Sequence, residues 1–273
     1  MPTTLTLGQY DMVYNSLSFT IAAMGAAFVF FLMARGTVAY KFQRVLEVGA
    51  IIVGIACYHY VRMFNSWTEA YTHEAGTAVY TATSVLFNEA YRYADWLLTV
   101  PLLLVELIAV LYITGSQRGS LIMKLVIAAV LMIVLGYPGE VSSSVPTRLF
   151  WGTLSTIPFL YILWVLWTQV GIAIPKESPA VGSLMFGLRL LLLASWGVYP
   201  IAYLMPLFPI DPADALVLKQ VGYSIADVVA KPMYGLMIYA IARLKTQQEN
   251  APAPDGALVP HDNTVAPSTA TVI

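Results

Sequence analysis

The run Ser224-Ile225-Ala226-Asp227-Val228-Val229-Ala230-Lys231-Pro232-Met233-Tyr234-Gly235-Leu236-Met237-Ile238-Tyr239-Ala240-Ile241-Ala242 decides how the rest of the chain is read. It is apolar except for one acid and one amine, four residues apart. At that spacing a helix places Asp227 and Lys231 on one face, where each offsets the other's charge. Charges inside a hydrophobic helix are expensive to desolvate, so this pair predicts a functional site.

The whole chain has the same character. Its 273 residues are 59% hydrophobic and only 11% charged, with a mean hydropathy of +0.73. Soluble domains carry about 25% charged residues, so an ordinary cytosolic globule is excluded and an integral membrane protein is expected. A net charge of −1 offers nothing to a nucleic acid. A single cysteine, Cys57, excludes an internal disulfide, and three histidines without ligand spacing predict no metal site. The first residues lack a positive region before the apolar stretch, so no cleavable leader is expected.

Hydrophobic segments run over 10–34, 45–67, 84–111, 119–138, 147–171, 183–206 and 216–244. Each has the ~20 residues that a spanning helix needs, and helices satisfy their own backbone in lipid. Short polar connections such as Thr114–Gly119 and Pro175–Pro179 make neighbouring helices antiparallel. The expected fold is all-α: a seven-transmembrane-helix bundle forming one domain over 1–246. The tail, 247–273, is rich in Pro, Ala, Asp, Asn and Thr and is expected to be disordered, with His261 and Asp262 as solvated bystanders.

Basic residues cluster on one side: Arg35, Lys41 and Arg44, then Arg118 and Lys124, Lys176 and Arg189, and Arg243 and Lys245. Asp11, Glu69, Glu74, Glu140, Asp211 and Asp214 fall on the other. The positive-inside rule then predicts an extracellular N-terminus and a cytoplasmic C-terminus, in a multi-pass membrane protein surrounded by lipid.

The third segment carries a second anomaly, Tyr91-Arg92-Tyr93-Ala94-Asp95-Trp96-Leu97-Leu98-Thr99-Val100-Pro101-Leu102-Leu103-Leu104-Val105-Glu106. Arg92, Asp95, Thr99 and Glu106 form a polar stripe along one helical face. Asp95 and Glu106 are separated by roughly 16 Å along the axis. A carboxylate on each side of a central amine is what vectorial proton transfer requires.

Taken together, these stretches resemble the microbial (type 1) rhodopsin family. The motifs are Arg92-Tyr93-Ala94-Asp95-Trp96-x-x-Thr99-x-Pro101, Trp196-x-x-Tyr199-Pro200 and Asp227-x-x-x-Lys231, and the likeness covers all seven segments. Within the family the chain looks most like the proteorhodopsin and xanthorhodopsin group, which includes gloeobacter rhodopsin. The resemblance implies that Lys231 binds all-trans retinal as a Schiff base. Asp95 matches the proton acceptor and counterion, Asp227 the second counterion and Glu106 the cytoplasmic proton donor. Arg92 would stabilise both acids from outside, Thr99 would hydrogen-bond Asp95, and His59 would pair with Asp95.

Trp96, Trp196, Tyr199 and Tyr203 match the rings that enclose the polyene, with Met132 and Gly136 near its ring end. Tyr60 and Tyr199 would donate to Asp227, and Leu103 matches the residue of green-absorbing forms. Gly152 stands where many pumps have Trp, and matches the glycine that lets a carotenoid ring dock beside retinal. Thr156 and Met205 would line that face for a hydroxylated or keto-carotenoid.

No pair of glutamates is evident at the outer ends of the sixth and seventh segments, where Leu207, Phe208 and Pro209 lie. Glu69, Glu74 and Glu140 are candidates for an exit role or for solvated loop acids. The expected function is a light-driven outward proton pump, not an enzyme, in a homo-oligomer that the family suggests is a pentamer or trimer. Two alternatives stay open: a photosensor coupled to a transducer, and a seven-helix transporter or receptor without chromophore.

Overall fold

The computed structural model describes residues 2–73, 75–110 and 116–250, with the side chains of Ser116 and Gln117 left aside. Glu74 and the tail from residue 251, with His261 and Asp262, lie outside the described residues. So does part of the Thr114–Gly119 connection.

Seven long helices follow one another: α1 (Leu7–Ala34), α2 (Tyr40–Ala70), α3 (Ala90–Val110), α4 (Ser116–Glu140), α5 (Val145–Ala173), α6 (Pro179–Leu204) and α7 (Pro212–Glu249). All seven are long and apolar enough to cross a membrane. Their ends carry local start signals. Thr6 and Gln9 form a reciprocal capping box at α1. Ser178 and Asp211 accept from Val181 and Ala213 at the starts of α6 and α7, each followed by proline in the first turn.

Most boundaries lie a few residues from the sequence reading, and two of the shifts have a clear local cause. The third helix begins at Ala90, not residue 84, because Asn88 accepts the Ala90 N–H through its side chain at 2.9 Å and ends the loop there. Phe87, just before it, is buried in the core. The last helix runs on to Glu249, three residues into the segment assigned to the tail. Lys41 pairs with Glu249, and Thr246 Oγ1 accepts from Ala39 N at 2.9 Å, so this end is tied to the start of α2.

A small antiparallel sheet was not anticipated. β1 (Thr4–Thr6), β2 (Tyr71–His73) and β3 (Val79–Ala82) pair in the order β1-β3-β2 over the end of the bundle that holds the N-terminus. The turn between β2 and β3 contains Gly76 at φ +84°, a conformation glycine reaches without steric cost. Tyr80 stacks on Tyr10 at 3.6 Å between ring centroids and so clamps the sheet onto α1. Burial pushes the Tyr71 hydroxyl up to about 12, so it stays neutral and donates to Pro2 O at 3.3 Å.

Exposed apolar side chains such as Phe150, Ile157, Leu160 and Trp164 cover the outside of α5. The charged and polar residues of the third and seventh segments point inward instead: Arg92, Asp95, Glu106, Lys219, Asp227 and Lys231 are all buried. This inside-out pattern is the one lipid imposes, with paired charges in the bundle interior.

Candidate functional site

Lys231 stands in a π-helical turn, Val229–Met233, that interrupts α7. Pro232, the next residue, has no N–H to donate and its ring crowds the preceding turn, so the helix widens locally. The Lys231 Nζ donates to Asp95 Oδ2 at 2.6 Å and lies 3.1 Å from Asp227 Oδ2.

The two carboxylates are held differently. Asp227 accepts from Tyr60 OH at 2.8 Å, Tyr199 OH at 2.5 Å and Trp96 Nε1 at 3.1 Å. Asp95 Oδ1 is buried without a hydrogen-bond partner among the described residues. One acid is therefore saturated with donors and the other keeps an oxygen free.

The remaining members of the polar stripe fall less simply. Arg92 donates to Tyr60 OH at 2.8 Å and to Gln220 Oε1 at 2.9 Å. It reaches Asp227 through the Tyr60 hydroxyl, not by direct contact. Thr99 donates to the main-chain carbonyl of Asp95 at 2.8 Å, the usual back-bond of a helical threonine, and not to its carboxylate. His59 is also spent locally, with Nδ1 3.0 Å from Ile55 O, one turn back on α2. Asp95 Oδ1 receives no hydrogen bond from it.

Lys231 closes one end of a pocket lined by Trp96, Leu103, Met132, Gly136, Gly152, Thr156, Trp196, Tyr199 and Tyr203, all anticipated. Tyr93, Val100, Ile133, Ser155, Phe159, Pro200, Tyr223 and Ala230 complete it. These escaped the sequence reading because an apolar or aromatic residue facing a pocket has the same signature as one facing a neighbouring helix. Tyr60 lies behind Asp227 and outside this lining, as does Met205, which is part of the turn after α6. The place of a side chain at Gly152 is taken by the Tyr203 ring, since a Cβ there would be 2.7 Å from Tyr203 Cε1. Thr156, exposed on the outer face, donates to Gly152 O at 2.8 Å.

Glu106 lies in α3 on the far side of Lys231 from Arg92. It is 2% exposed and its Oε2 has no partner. Its carboxyl packs against the bare backbone of α2 at Gly49, where a Cβ would be 2.8 Å from Glu106 Oε1 and would push the carboxyl aside.

Toward the N-terminal face the structure assembles a cluster that the sequence reading missed. Glu140, weighed there as an exit group or a solvated loop acid, is 3% exposed. It accepts from Lys219 at 2.8 Å and Tyr223 at 3.0 Å, with Arg148 3.9 Å away. Lys219 also donates to Glu89 at 2.6 Å, and Gln220 donates to the same Glu89 oxygen at 2.8 Å. The missed signal was helical periodicity. Lys219, Gln220, Tyr223, Asp227 and Lys231 recur along one face of α7 at steps of one, three, four and four. Glu69, by contrast, is exposed.

This arrangement has counterparts. A family model described as bacteriorhodopsin-like protein matches residues 13–244. The green-light absorbing proteorhodopsin of Gamma-proteobacterium EBAC31A08 is 33% identical over 232 residues, covering 84% of this chain and 86% of that protein. Xanthorhodopsin, whose structure is described as a light-driven ion pump with dual chromophore, is 52% identical with a TM-score of 0.84, covering 91% of this chain and 99% of that one. A thermophilic rhodopsin is 50% identical with a TM-score of 0.86, covering 92% and 100%. The chain belongs to the bacteriorhodopsin-like family, as a microbial rhodopsin of the proteorhodopsin and xanthorhodopsin group. It is a multi-pass protein of the prokaryotic cell membrane.

The Gly49–Glu106 fit gives a prediction independent of function. Gly49→Ala should destabilise the protein by about 1–3 kcal/mol through overpacking, read as a lower thermal midpoint in detergent. Combining it with Glu106→Ala should remove most of that cost, because the two sites couple by contact. Additive losses in the double variant would show that the glycine is not there for the carboxyl.

Proposed function

We propose that this protein is a light-driven outward proton pump carrying all-trans retinal on Lys231. The observation that carries the reading is the Lys231 Nζ, held within 3.1 Å of two carboxylates of unequal saturation at the closed end of an aromatic pocket. The residues present fit the group. An amine opens into a pocket walled by Trp96, Trp196 and Tyr199, and two acids stand ready to balance a cationic nitrogen. When bound, retinal would form a protonated Schiff base with Nζ and, on isomerising in light, change that nitrogen's basicity and direction.

The protein's own residues set the direction of transport. Asp95 takes the proton, because Oδ1 is free while Asp227 is saturated by Tyr60, Tyr199 and Trp96. Asp227 stays as the fixed counter-charge. Arg92, bonded to Tyr60, holds positive charge on the N-terminal side of the acids. Thr99 holds the main chain at Asp95, and His59 stays bonded to the Ile55 carbonyl on its own helix, α2. Glu106 supplies the replacement proton from the other side; its unpartnered, buried oxygen is suited to hold a proton until the amine site needs one. The basic loop residues at the C-terminal face support a cytoplasmic position for that face by the positive-inside rule, which would make the direction outward.

Gly152 and Thr156 support a carotenoid as second pigment, with Met205 at its margin. The Tyr203 ring beside Gly152 would then be the wall shared by the two pigments. Family likeness extends the proposal to a homo-oligomer, a pentamer or trimer. A sensory reading leaves Glu106 without a task.

Two experiments test this. Retinal-supplied cells should acidify their medium in light, reversibly, with the signal abolished by a protonophore. Asp95→Asn should stop transport, and Glu106→Gln should slow turnover by about 10²-fold, the lower range for loss of a positioned proton-transfer group. Illumination without any change in external pH would contradict the pump. For the second pigment, adding a keto-carotenoid should produce induced circular dichroism and a carotenoid band in the excitation spectrum. Gly152→Trp should abolish both while keeping the retinal band. No induced signal in the unmodified protein would remove the antenna from the proposal.

A further inference from the structure

The buried cluster at the N-terminal face lies beyond the groups used above, yet it is wired to them. From Asp227 the bonds run to Tyr60, from Tyr60 to Arg92, from Arg92 to Gln220, and from Gln220 to Glu89. Glu89 is the last carboxylate on this path and precedes the first turn of α3. Its side chain is 15% exposed, whereas that of Glu140 is 0% exposed.

The two glutamates share Lys219 but are not equivalent. Glu140 is engaged through both oxygens: Oε1 by Lys219, Oε2 by Tyr223 and, at 3.5 Å, Tyr93. Arg148 adds a second cation beside it. Glu89 takes Lys219 and Gln220 on Oε1 alone, and its Oε2 is buried without a partner. Glu140 is thus an anchor that holds Lys219 in place. Glu89 combines a buried oxygen that has no partner among the described residues with a side chain that is partly exposed.

We propose that Glu89 is the proton relay at the outer end of the path, and that Lys219, pinned by Glu140, is its positioning residue. This rests on the pump reading. One proton leaves the Asp95 carboxylic acid, restoring its carboxylate, and is received on Glu89 Oε2. Glu89 then gives that proton to external water and returns to its carboxylate. No other group gains or loses a proton in the exchange. Lys219 and Gln220 hold Oε1 throughout, so Glu89 keeps its position while its charge changes.

The test uses the full chain with retinal in lipid vesicles, with flash excitation, a pH-indicating dye and visible absorbance recorded together. Glu89→Gln should delay the dye signal by about 10²-fold, the lower range for losing a positioned proton carrier, while the early absorbance changes keep their time course. A light-induced carboxylic C=O band in the infrared should vanish in the same variant. Glu89→Asp, which keeps the carboxylate, should restore both in part. An unaltered dye delay and infrared spectrum in Glu89→Gln would overturn the relay and leave the pump standing. Absence of any light-driven proton signal in the unmodified protein would overturn both. Slowing of the early absorbance changes to the same degree as the dye would overturn the relay in favour of a structural role.

Discussion

The structure is organised around one buried ammonium shared by two carboxylates. Removing three charges from water costs several kcal/mol per ion even after relaxation, and only close contacts and added hydrogen bonds offset it. Lys231 meets Asp95 at 2.6 Å and Asp227 at 3.1 Å, and Asp227 gathers three further donors. Those donors come from α2, α3 and α6, so the demand of one salt bridge fixes the relative positions of four helices. Removing Lys231 would leave two buried carboxylates facing each other without their shared cation, so the site and the fold are not separable.

The same logic extends along the bundle axis. Toward the N-terminal face, charges are fully interlinked: Arg92, Gln220, Glu89, Lys219, Glu140 and Arg148 form a continuous buried network. Toward the C-terminal face, Glu106 has no ionic partner among the described residues and sits against the bare backbone of Gly49. The polar linkage is thus denser on the N-terminal side of Lys231, while on the other side Glu106 stands apart from the buried Lys245–Glu177 pair. In the proposed pump this asymmetry would give the central proton site unlike surroundings on its two sides.

Much of this was legible in the chain because charge in a hydrophobic helix has few innocent explanations. Asp227 and Lys231 at four residues, and Asp95 and Glu106 at eleven, predicted a shared face, and the structure brings Lys231 between the two aspartates. Tyr60 and Tyr199 were assigned to Asp227, where both are found. What could not be read was partner choice over short distances. Thr99 prefers a carbonyl one turn back, His59 does the same, and neither reaches the Asp95 carboxylate. Helical periodicity says which face a side chain is on, not which of two acceptors a few ångströms apart it takes. Lys219 and Glu89 were passed over because each lies near a helix end, where charge is ordinarily solvated. Their burial depends on three helices meeting, which no single stretch of sequence reports. The small sheet was hidden for a related reason: its strands have only three or four residues, too few for their alternation to stand out.

The central claim is that Lys231 is the covalent attachment point of the chromophore, held reactive between Asp95 and Asp227. Titrating all-trans retinal into the purified, retinal-free protein tests it most directly. The account predicts a visible band that saturates at one retinal per chain and is absent in Lys231→Ala. No band in the unmodified protein, or an equal band in Lys231→Ala, would contradict it.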